Sequence, residues 1–427
     1  MVIWRLAQQS SSIPRGRLCF HFDSYSESPR IPSRKRLSMF RGATQTSEEE
    51  KQPTLSGSEM TSNKARTRVL LLDLGAHYGG VENYLVNLAA LLRNDVDLYA
   101  LCVLPELRTR LQEQGVTVVR LPVFAGLLKP LRFLLAGIVL IWMMLSRRID
   151  SVQLNGLLES ALILPTRLLG RAAVYTRHGP FELEYYSLLR HPHKFLPRKI
   201  AQLSLRLASN TVCVSEAVAE SVKPILPPHR FTVIPNWVPH QGKPRPVRTQ
   251  LTPTAEILCL SRLEHYKGIH LLLEATRTLP DIQVTIAGDG GFRTNLEAMA
   301  AGRSNVHFAG FLRDVSTLYE RADIVVMPSL GPEGLPMTSL EAMGRGIPCI
   351  FSDLPVHREI SDGGKGASLF TSGNAESLHV ALTTLLTQPT IRQTLAQQAL
   401  RIIDSKYTDH RVRGAYLAVF AKQDGGQ

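Results

Sequence analysis

Cysteine is scarce in this chain. The 427 residues include five cysteines, Cys19, Cys102, Cys213, Cys259 and Cys349. Their odd number and wide separation argue against a disulfide framework, and their spacing matches no zinc site. Three of them lie inside apolar, strand-like runs, where a thiol serves as a small hydrophobic side chain. We therefore expect reduced, buried cysteines and a cytoplasmic protein.

The chain also lacks the run of about 20 apolar residues that a bilayer-spanning helix needs. Residues 133–145 are 13 consecutive residues without a charge, flanked by Arg132, Arg147 and Arg148. This stretch is too short for an unassisted crossing. Its Trp142 and basic flanks fit a helix at a membrane interface. A buried helix of the first domain is the alternative that we favour, and a helix with both roles stays open.

Residues 1–64 lack any apolar period. They are rich in Ser, Pro and Arg and contain the acidic run 48–50, so we predict a disordered tail without a packed core. The tail has no continuous apolar segment of the kind found in secretory signals. A basic, transit-like segment remains an alternative, and so does a true start at Met60.

The positive charge is concentrated in the middle of the chain. The net formal charge is +4 over residues 1–65, +11 over 66–250 and −2 over 251–427. A basic first half suits an anionic surface, such as a phospholipid leaflet, or a phosphate-bearing acceptor. The alternative is a soluble basic face with no partner.

Apolar strands alternate with helical patterns along the first half. Residues 69–72 read as a strand, followed by a turn through Gly75, Gly79 and Gly80 and a helix over 81–92. Further strands are predicted at 98–103, 116–121, 151–154, 173–176 and 211–214. Such alternation is typical of parallel sheets covered on both faces.

A second alternating series follows a Pro-rich, polar stretch at 235–253. We predict a linker over 241–253 between domains at 65–240 and 254–405. Strands are predicted at 256–260, 283–287, 306–308, 324–327 and 348–351. Two doubly wound α/β halves that face each other would place a ligand cleft at the carboxyl ends of their strands.

Two glutamates, Glu333 and Glu341, stand in the most informative segment, 327–350. Glu333 lies in a loop after a predicted strand, and Glu341 lies within the helix that begins near Met337. The N-terminus of that helix can hold a diphosphate near Leu335 and Met337. Ionised carboxylates accept hydrogen bonds from sugar and ribose hydroxyls. The alternative is two solvated surface charges.

A basic pair and a glycine-rich turn strengthen this interpretation. Arg262 and Lys267 follow the strand at 256–260 in the segment SRLEHYKG, where two cations can neutralise a diphosphate leaving group without a metal. Either could instead form a surface salt bridge. Gly290 belongs to the turn AGDGG, where glycines permit close approach of the backbone to a ligand.

Taken in order, these motifs resemble glycosyltransferase family 4, the retaining enzymes with the GT-B fold. In the second half the resemblance rests on SRLEHYKG, AGDGG, HFAGFL, RADIVVMPS, EGLPMTSLEAM and GIPCI. In the first half it rests on GGVENYLVNLAALL, TRHG, CVSEAV and VIPN. The resemblance extends from about residue 68 to the C-terminus.

The resemblance implies an α/β GT-B fold, in which two Rossmann-like doubly wound domains face a central cleft. Residues 65–240 would bind the acceptor, residues 254–405 the nucleotide sugar, and residues 406–427 would form a helix crossing back to the first domain. Arg262 and Lys267 would hold the donor diphosphate. Glu341 would bind the ribose, and Glu333 would meet the transferred sugar.

Three residues of the first half are implied in the site as well. His178 would lie across the cleft near the sugar; the alternative is a structural histidine. Gly79 and Gly80 would border the donor phosphates or the acceptor. The family pattern is broken at Trp237 and Pro336, where glycine is usual, and at 353–360, where DLPVHREI replaces a glycine-rich segment.

The implied function is transfer of a sugar, with retention, from a UDP- or GDP-sugar to a glycan or lipid-linked acceptor in cell-envelope polysaccharide synthesis. We expect no metal or other cofactor, no nucleic-acid partner, and peripheral contact with an anionic membrane at its inner face. We see no first-half carboxylate that stands out as a nucleophile, so we favour a front-face mechanism. The alternatives are an epimerase or phosphorylase on this fold, and a catalytically silent adaptor.

Overall fold

The computed structural model describes residues 66–421, apart from 76–77, 121–128, 157–158, 181–198, 200–201, 240–245, 249, 252–253 and 280. All of them belong to one compact unit, residues 63–427. The predicted tail at 1–64, with Cys19 and Met60, lies outside the described residues. Most of the predicted linker at 241–253 lies outside them too.

Seven parallel strands form the sheet of the first half. Their bounds are β1 Arg68–Asp73, β2 Asp97–Cys102, β3 Thr117–Arg120, β4 Ser151–Leu154, β5 Ala172–Arg177, β6 Asn210–Cys213 and β7 Phe231–Val233. Their order in the sheet is β3-β2-β1-β4-β5-β6-β7. Apolar runs such as the one in β1 suit a sheet that is buried on both faces.

Helices cover both faces of this sheet. Their bounds are α1 Gly80–Leu92, α2 Pro105–Glu113, α3 Lys129–Ser146, α4 Ile163–Leu168 and α5 Glu216–Val222. Residues 202–205 add a helical turn. One core contains Leu85 of α1 and Leu107 of α2, whereas another contains Leu140 of α3, Ile163 of α4 and Val218 of α5. The first two helices and the last three therefore lie on opposite faces.

The second half repeats this plan with six parallel strands. Their bounds are β8 Ala255–Leu260, β9 Ile282–Ala287, β10 Val306–Gly310, β11 Ile324–Met327, β12 Cys349–Ser352 and β13 Ser368–Phe370, in the order β10-β9-β8-β11-β12-β13. The helices are α6 Ile269–Ala275, α7 Arg293–Met299, α8 Ser316–Arg321, α9 Met337–Gly344, α10 Pro355–Ile360, α11 Ala375–Thr387, α12 Pro389–Lys406 and α13 Asp409–Phe420.

Every strand predicted from the apolar runs is present, with bounds that differ by at most two residues. The prediction missed β7 and β13, the two strands at the sheet edges that follow β6 and β12. Each has three residues, which is too short to show a period of two. The buried cysteines were predicted correctly for Cys102, Cys213, Cys259 and Cys349, which are all free and buried.

The last helix, α13, packs against α1 of the first half. The hydroxyl of Tyr84 in α1 donates to the hydroxyl of Tyr416 in α13 over 3.0 Å. The Trp237 ring lies 5.8 Å from the Tyr84 ring and 5.4 Å from the Tyr416 ring. Trp237 is 2% exposed, so its bulk fills a buried aromatic cluster at a position where the family pattern has glycine.

Helix α3 contains the uncharged stretch 133–145. Its buried face includes Ala136, Leu140 and Met143, while Trp142 on the other face is 52% exposed. The helix therefore has the core face that the buried alternative requires and an exposed apolar face on its other side, whereas contact of that second face with a membrane stays a prediction. Among the helices of the described residues, none has the length and apolar character needed to cross a membrane.

The strand order reverses between β1 and β4 in the first sheet and between β8 and β11 in the second. Ligands of doubly wound folds bind at the carboxyl ends of the strands beside such a reversal. Gly79 and Gly80 follow β1, Lys267 follows β8, and Glu333 follows β11. The fold thus brings these separate segments to the two reversal points.

Candidate active site

A buried ion pair joins the loops that follow β8 and β11. The Lys267 Nζ atom lies 2.6 Å and 2.8 Å from the two carboxylate oxygens of Glu333. The Lys267 side chain is 11% exposed and that of Glu333 is 8% exposed. The two residues are 66 positions apart in the chain, and they meet because β8 and β11 are neighbouring strands.

The carboxylate of Glu333 is held in its ionised form. Burial alone would raise its pKa, but the positive charge and hydrogen bonds of Lys267, together with smaller contributions from Ser329 and His357, lower the pKa below its usual value. The Ser329 hydroxyl adds a further hydrogen bond of 2.6 Å to the same carboxylate. Glu333 is therefore a charged acceptor at neutral pH.

Arg262 reaches this pair through Tyr266. Its guanidinium donates a hydrogen bond to the Tyr266 hydroxyl. Lys267 Nζ lies 5.3 Å from the centre of the same ring, on which it makes a cation–π contact. Arg262 is exposed, whereas the Lys267 side chain is only 11% exposed. The two cations therefore flank one aromatic ring, with only Lys267 in contact with Glu333.

Glu341 lies in the second turn of α9 and has a different partner. The hydroxyl of Tyr319, in α8, donates to its carboxylate over 2.8 Å. Burial raises the pKa of Glu341, although the Tyr319 hydrogen bond and the charge of Arg345 oppose that rise. Arg345 also stacks on the Tyr319 ring at 4.5 Å. Glu341 thus belongs to a second polar group, with Tyr319 and Arg345, and not to the pair of Lys267 and Glu333.

Residues of the first half hold that loop from across the cleft. The Ser215 hydroxyl donates to the carbonyl of Gly334 over 3.0 Å, and Asn236 Nδ2 donates to the carbonyl of Leu335 over 2.7 Å. The carbonyl of His178 lies so close to Gly334 that any Cβ atom there would overlap it. His178 is thereby placed beside the residue that follows Glu333.

The His178 ring is fixed by a polar chain within the first half. Its Nε2 lies 3.1 Å from Asn155 Oδ1, and Asn155 Nδ2 donates to the carbonyl of Leu72. That second bond orients the amide, so His178 Nε2 carries the proton and donates. Burial, together with the charge of Arg177, lowers the pKa of His178 to about 3. The ring is therefore neutral at physiological pH, and the Tyr84 ring packs edge-on against it at 4.6 Å.

Gly79 and Gly80 form the start of α1, with Gly79 at the N-cap. The Gly79 N–H donates to Glu82 over 2.7 Å. Buried Asp73 and Glu159 lie nearby and accept the N–H groups of Gly75 and Leu74. Burial and the charges of Glu159 and Glu82 raise the pKa of Asp73 to about 8. These carboxylates hold the backbone of the glycine loop.

The close approach of the backbone at Gly290 is to another loop of the protein. An added Cβ at this position would overlap the backbone of Leu263, and one at Gly288 would overlap the carbonyl of Ser261. Gly288 also has a φ of 133°, which strongly favours glycine. The AGDGG turn therefore packs tightly on the turn that begins the SRLEHYKG segment, and so positions Arg262.

The structure brings His178, Lys267 and Glu333 to one place, with Leu335 and Met337 leading from it into α9. Sequence reasoning missed four polar residues that support them: Asn155, Ser215, Asn236 and Tyr319. Ser215 and Asn236 stood inside the motifs CVSEAV and VIPN, so the signal was present but was assigned only to segment boundaries. The described residues contain no cluster of His, Cys, Asp or Glu that could hold a metal ion.

Two regions of the chain match models of known protein families. The family model described as Glycosyltransferase Family 4 matches residues 78–241, and the model Glycosyl transferases group 1 matches residues 246–401. Together they cover about three quarters of the chain. The chain belongs to glycosyltransferase family 4. The boundary between the two matched regions of this family 4 glycosyltransferase falls inside the stretch 235–253.

Individual relatives match smaller parts of this family 4 glycosyltransferase. It is 26% identical to the lipopolysaccharide core biosynthesis glycosyltransferase LpsE of Rhizobium meliloti, over 50% of this chain and 64% of that protein. It is 30% identical to the phosphatidyl-myo-inositol mannosyltransferase of Mycobacterium leprae, over 32% of this chain and 38% of that protein. The chain thus aligns with less than two thirds of the length of these relatives.

Solved structures share the whole architecture. The Anabaena protein Alr3699/HepE, crystallised with UDP and glucose, superimposes with a TM-score of 0.72 over 83% of this chain and 99% of that one, at 19% identity. The lipopolysaccharide outer core galactosyltransferase WaaB gives a TM-score of 0.61 over 83% of this chain. The predicted GT-B fold is confirmed.

Proposed function

We propose that this chain transfers a sugar, with retention, from a UDP- or GDP-sugar to a glycan or lipid-linked acceptor in cell-envelope polysaccharide synthesis. The observation that carries the proposal is the buried pair of Lys267 and Glu333 beside His178. The names of relatives, which include lipopolysaccharide core and phosphatidyl-inositol glycosyltransferases, support the acceptor class. We further propose that the enzyme works at the inner face of the membrane.

The cations on both sides of Tyr266 suit a nucleoside diphosphate leaving group. Lys267 Nζ has three donors, and its contacts with Glu333 leave capacity for a phosphate oxygen. Arg262 is exposed, and besides the N–H that donates to Tyr266 its guanidinium has further N–H donors for a second phosphate. Positive charge placed where the departing diphosphate accumulates negative charge lowers the transition-state energy. The same pair would replace a metal ion.

The two glutamates suit the two hydroxyl-bearing parts of the donor. Glu333 is ionised, and we assign it to hydroxyl groups of the transferred sugar. Glu341 lies beyond the start of α9, one helical turn from Met337, and we assign it to the ribose. The first turn of α9 has N–H groups without intrahelical acceptors, which can bind the diphosphate between the two glutamates.

Retention by the front-face route agrees with the state of the first-half carboxylates. Asp73, Glu82 and Glu159 each accept backbone N–H groups, which gives each of them a part in holding a loop. In the front-face route the leaving phosphate accepts the acceptor proton, so no protein base is required. A neutral His178, which donates to Asn155, would contribute polar contacts and no charge.

Ligand-dependent thermal stability tests the donor assignment. A ligand that binds only the native state stabilises it by about 2.7 kcal/mol at one hundred times its Kd. We expect one class among UDP-, GDP- and ADP-sugars to raise the Tm, and Lys267→Ala to abolish that shift. The matched control is Lys365→Ala, since Lys365 is an exposed lysine of the same half. The absence of any shift in the unaltered protein would refute the proposal.

Turnover separates an enzyme from an adaptor. With the responding donor, sugar release or transfer is expected to fall by orders of magnitude in Lys267→Ala, while Lys365→Ala keeps full activity. EDTA is expected to leave the rate unchanged, because the two cations take the role of a metal. An adaptor would bind the donor without turnover, and its biological activity would survive Lys267→Ala.

A further inference from the structure

The outward face of α3 is apolar. Its exposed large side chains recur every three or four residues and are 37% to 59% exposed; they are Leu131, Leu134, Ile138, Ile141, Trp142 and Leu145. The opposite face of the same helix is buried in the first-half core. A helix on the surface of a globular protein normally carries polar residues on its outward face. The apolar residues on this face therefore call for a partner.

Neighbouring elements extend this surface. On α4, Leu164 is 47% and Leu168 is 77% exposed, and in the segment 202–207, Leu203 is 64% exposed and Leu207 is 42% exposed. A Cβ on Gly137 of α3 would contact Leu162 beside α4 at 3.5 Å. We call the exposed side chains of α3, α4 and 202–207 the docking face. It holds ten of the fourteen exposed large apolar side chains found in the described residues.

The docking face carries positive charge without negative charge. Arg147 and Arg148 at the end of α3, Arg167 in α4, and Arg206 are all exposed. Arg167 Nη1 donates to the hydroxyl of Ser209, two residues after the segment 202–207, over 3.0 Å. The sequence has no Asp or Glu within 129–149, 160–172 or 202–210. The face is thus complementary to an anionic surface.

We propose that the docking face binds the surface of a bilayer that contains anionic phospholipid. Leucine, isoleucine and tryptophan side chains enter the interface between headgroups and acyl chains, and arginines at the rim contact lipid phosphates. Because the exposed apolar residues follow one side of α3 along most of its length of about 27 Å, the helix would lie in the plane of the membrane. The charge of the face favours this occupant over a second copy of the chain, because two copies would bring arginines together.

This proposal names the surface that makes the proposed membrane contact. Only its consequence for the acceptor rests on the proposed function. Helix α3 ends five positions before β4 begins, close to the amino end of that strand, so its N-terminal end lies toward the edge of the sheet that carries the carboxyl ends of the strands, which is the side of the cleft. A chain lying on its docking face would therefore present the cleft close to the headgroups. A lipid-linked acceptor could then reach the site without leaving the bilayer.

Vesicle co-sedimentation tests the proposal with the full chain. We expect binding to vesicles of phosphatidylcholine with phosphatidylglycerol, much weaker binding to phosphatidylcholine alone, and a loss of binding as salt screens the charges. The double variant Ile138→Glu/Trp142→Glu is expected to lower the partition coefficient about tenfold or more. Arg147→Gln and Arg148→Gln are expected to lower it about fivefold each at low salt.

The matched control is Met299→Glu/Val380→Glu, which adds the same charges at two exposed apolar sites of the second half. It is expected to bind vesicles nearly as well as the unaltered chain. Equal binding by both double variants would overturn the proposal. So would a dimer of the unaltered chain that binds no vesicles and that Ile138→Glu/Trp142→Glu converts to a monomer.

A measurement of donor binding distinguishes a failure of this proposal from a failure of the proposed function. The nucleotide-sugar thermal shift without lipid is expected to be the same in Ile138→Glu/Trp142→Glu and in the unaltered chain, which also shows that the variant folds. A chain that binds anionic vesicles through this face but binds no nucleotide sugar would support the docking face and refute the donor assignment.

Discussion

Removing Lys267 alone is expected to cost far more stability than removing it together with Glu333. Both side chains are about nine-tenths buried, and their charges are 2.6 Å apart. Breaking a buried pair by deleting one partner typically costs about 3–5 kcal/mol, because the other charge stays buried without compensation. Replacing both partners by uncharged residues of similar volume is often close to neutral. Lys267→Met should therefore be strongly destabilising, and Lys267→Met/Glu333→Gln mildly so.

Urea unfolding followed by circular dichroism measures this cycle at pH 7. We expect a coupling energy of about 3 kcal/mol or more between the two substitutions. The control cycle is Arg293→Met/Glu297→Gln, an ion pair whose side chains are 35% and 44% exposed, and it should show no measurable coupling. Additive effects at Lys267 and Glu333 would refute the claim that burial dominates this pair.

The pH dependence of the same variants gives an independent check. In the unaltered chain the pKa of Glu333 is lowered, so its contribution is present at neutral pH and is lost as the pH falls through that lowered pKa. In Lys267→Met the charge of the partner is gone and burial raises the Glu333 pKa. The cost of Lys267→Met should therefore shrink from pH 7 to pH 5. A cost that does not change over this interval would contradict the electrostatic account.

Three further predictions concern the first half and the interface. Because the pKa of Asp73 is raised from 3.8 to about 8, the protein should lose stability as the pH rises through that window, and Asp73→Asn should raise the Tm at pH 8 more than at pH 5. Gly334→Ala should weaken donor binding, since its Cβ would overlap the His178 carbonyl, whereas Gly414→Ala, which has open space and lies outside the candidate site, serves as control in the same thermal-shift assay. Tyr416→Phe should cost about 1 kcal/mol in urea unfolding by removing one buried hydrogen bond.

The sequence was sufficient for the fold because its signals are local. Strands such as β11 are uninterrupted apolar runs, and their alternation with helical patterns predicts a doubly wound sheet. The order of strands is not a local property. The contact between Lys267 and Glu333 depends on β8 and β11 being neighbours, so the sequence predicted both residues in one site without predicting that they pair.

Support from distant residues escaped prediction for the same reason. Tyr319 binds Glu341 across 22 residues, and Asn236 binds Leu335 across 99. Neither side chain stands in a sequence pattern that predicts which residue it binds. Trp237 was visible as a departure from the family pattern, but its aromatic neighbours come from both ends of the chain. The sequence also did not predict which face of α3 is exposed, because an apolar run does not indicate which of its residues other elements cover.

The crossing of α13 to the first half affects how such proteins can be recombined. The strands and helices of the second half end before Thr408, whereas Tyr416 and Phe420 of α13 belong to a core of the first half. A chimera that exchanges everything after the linker would graft a foreign helix beside Trp237. When the second half is exchanged between relatives, the foreign segment should instead be joined to the native chain just before residue 408. Helix α13 then stays with the first half against which it packs.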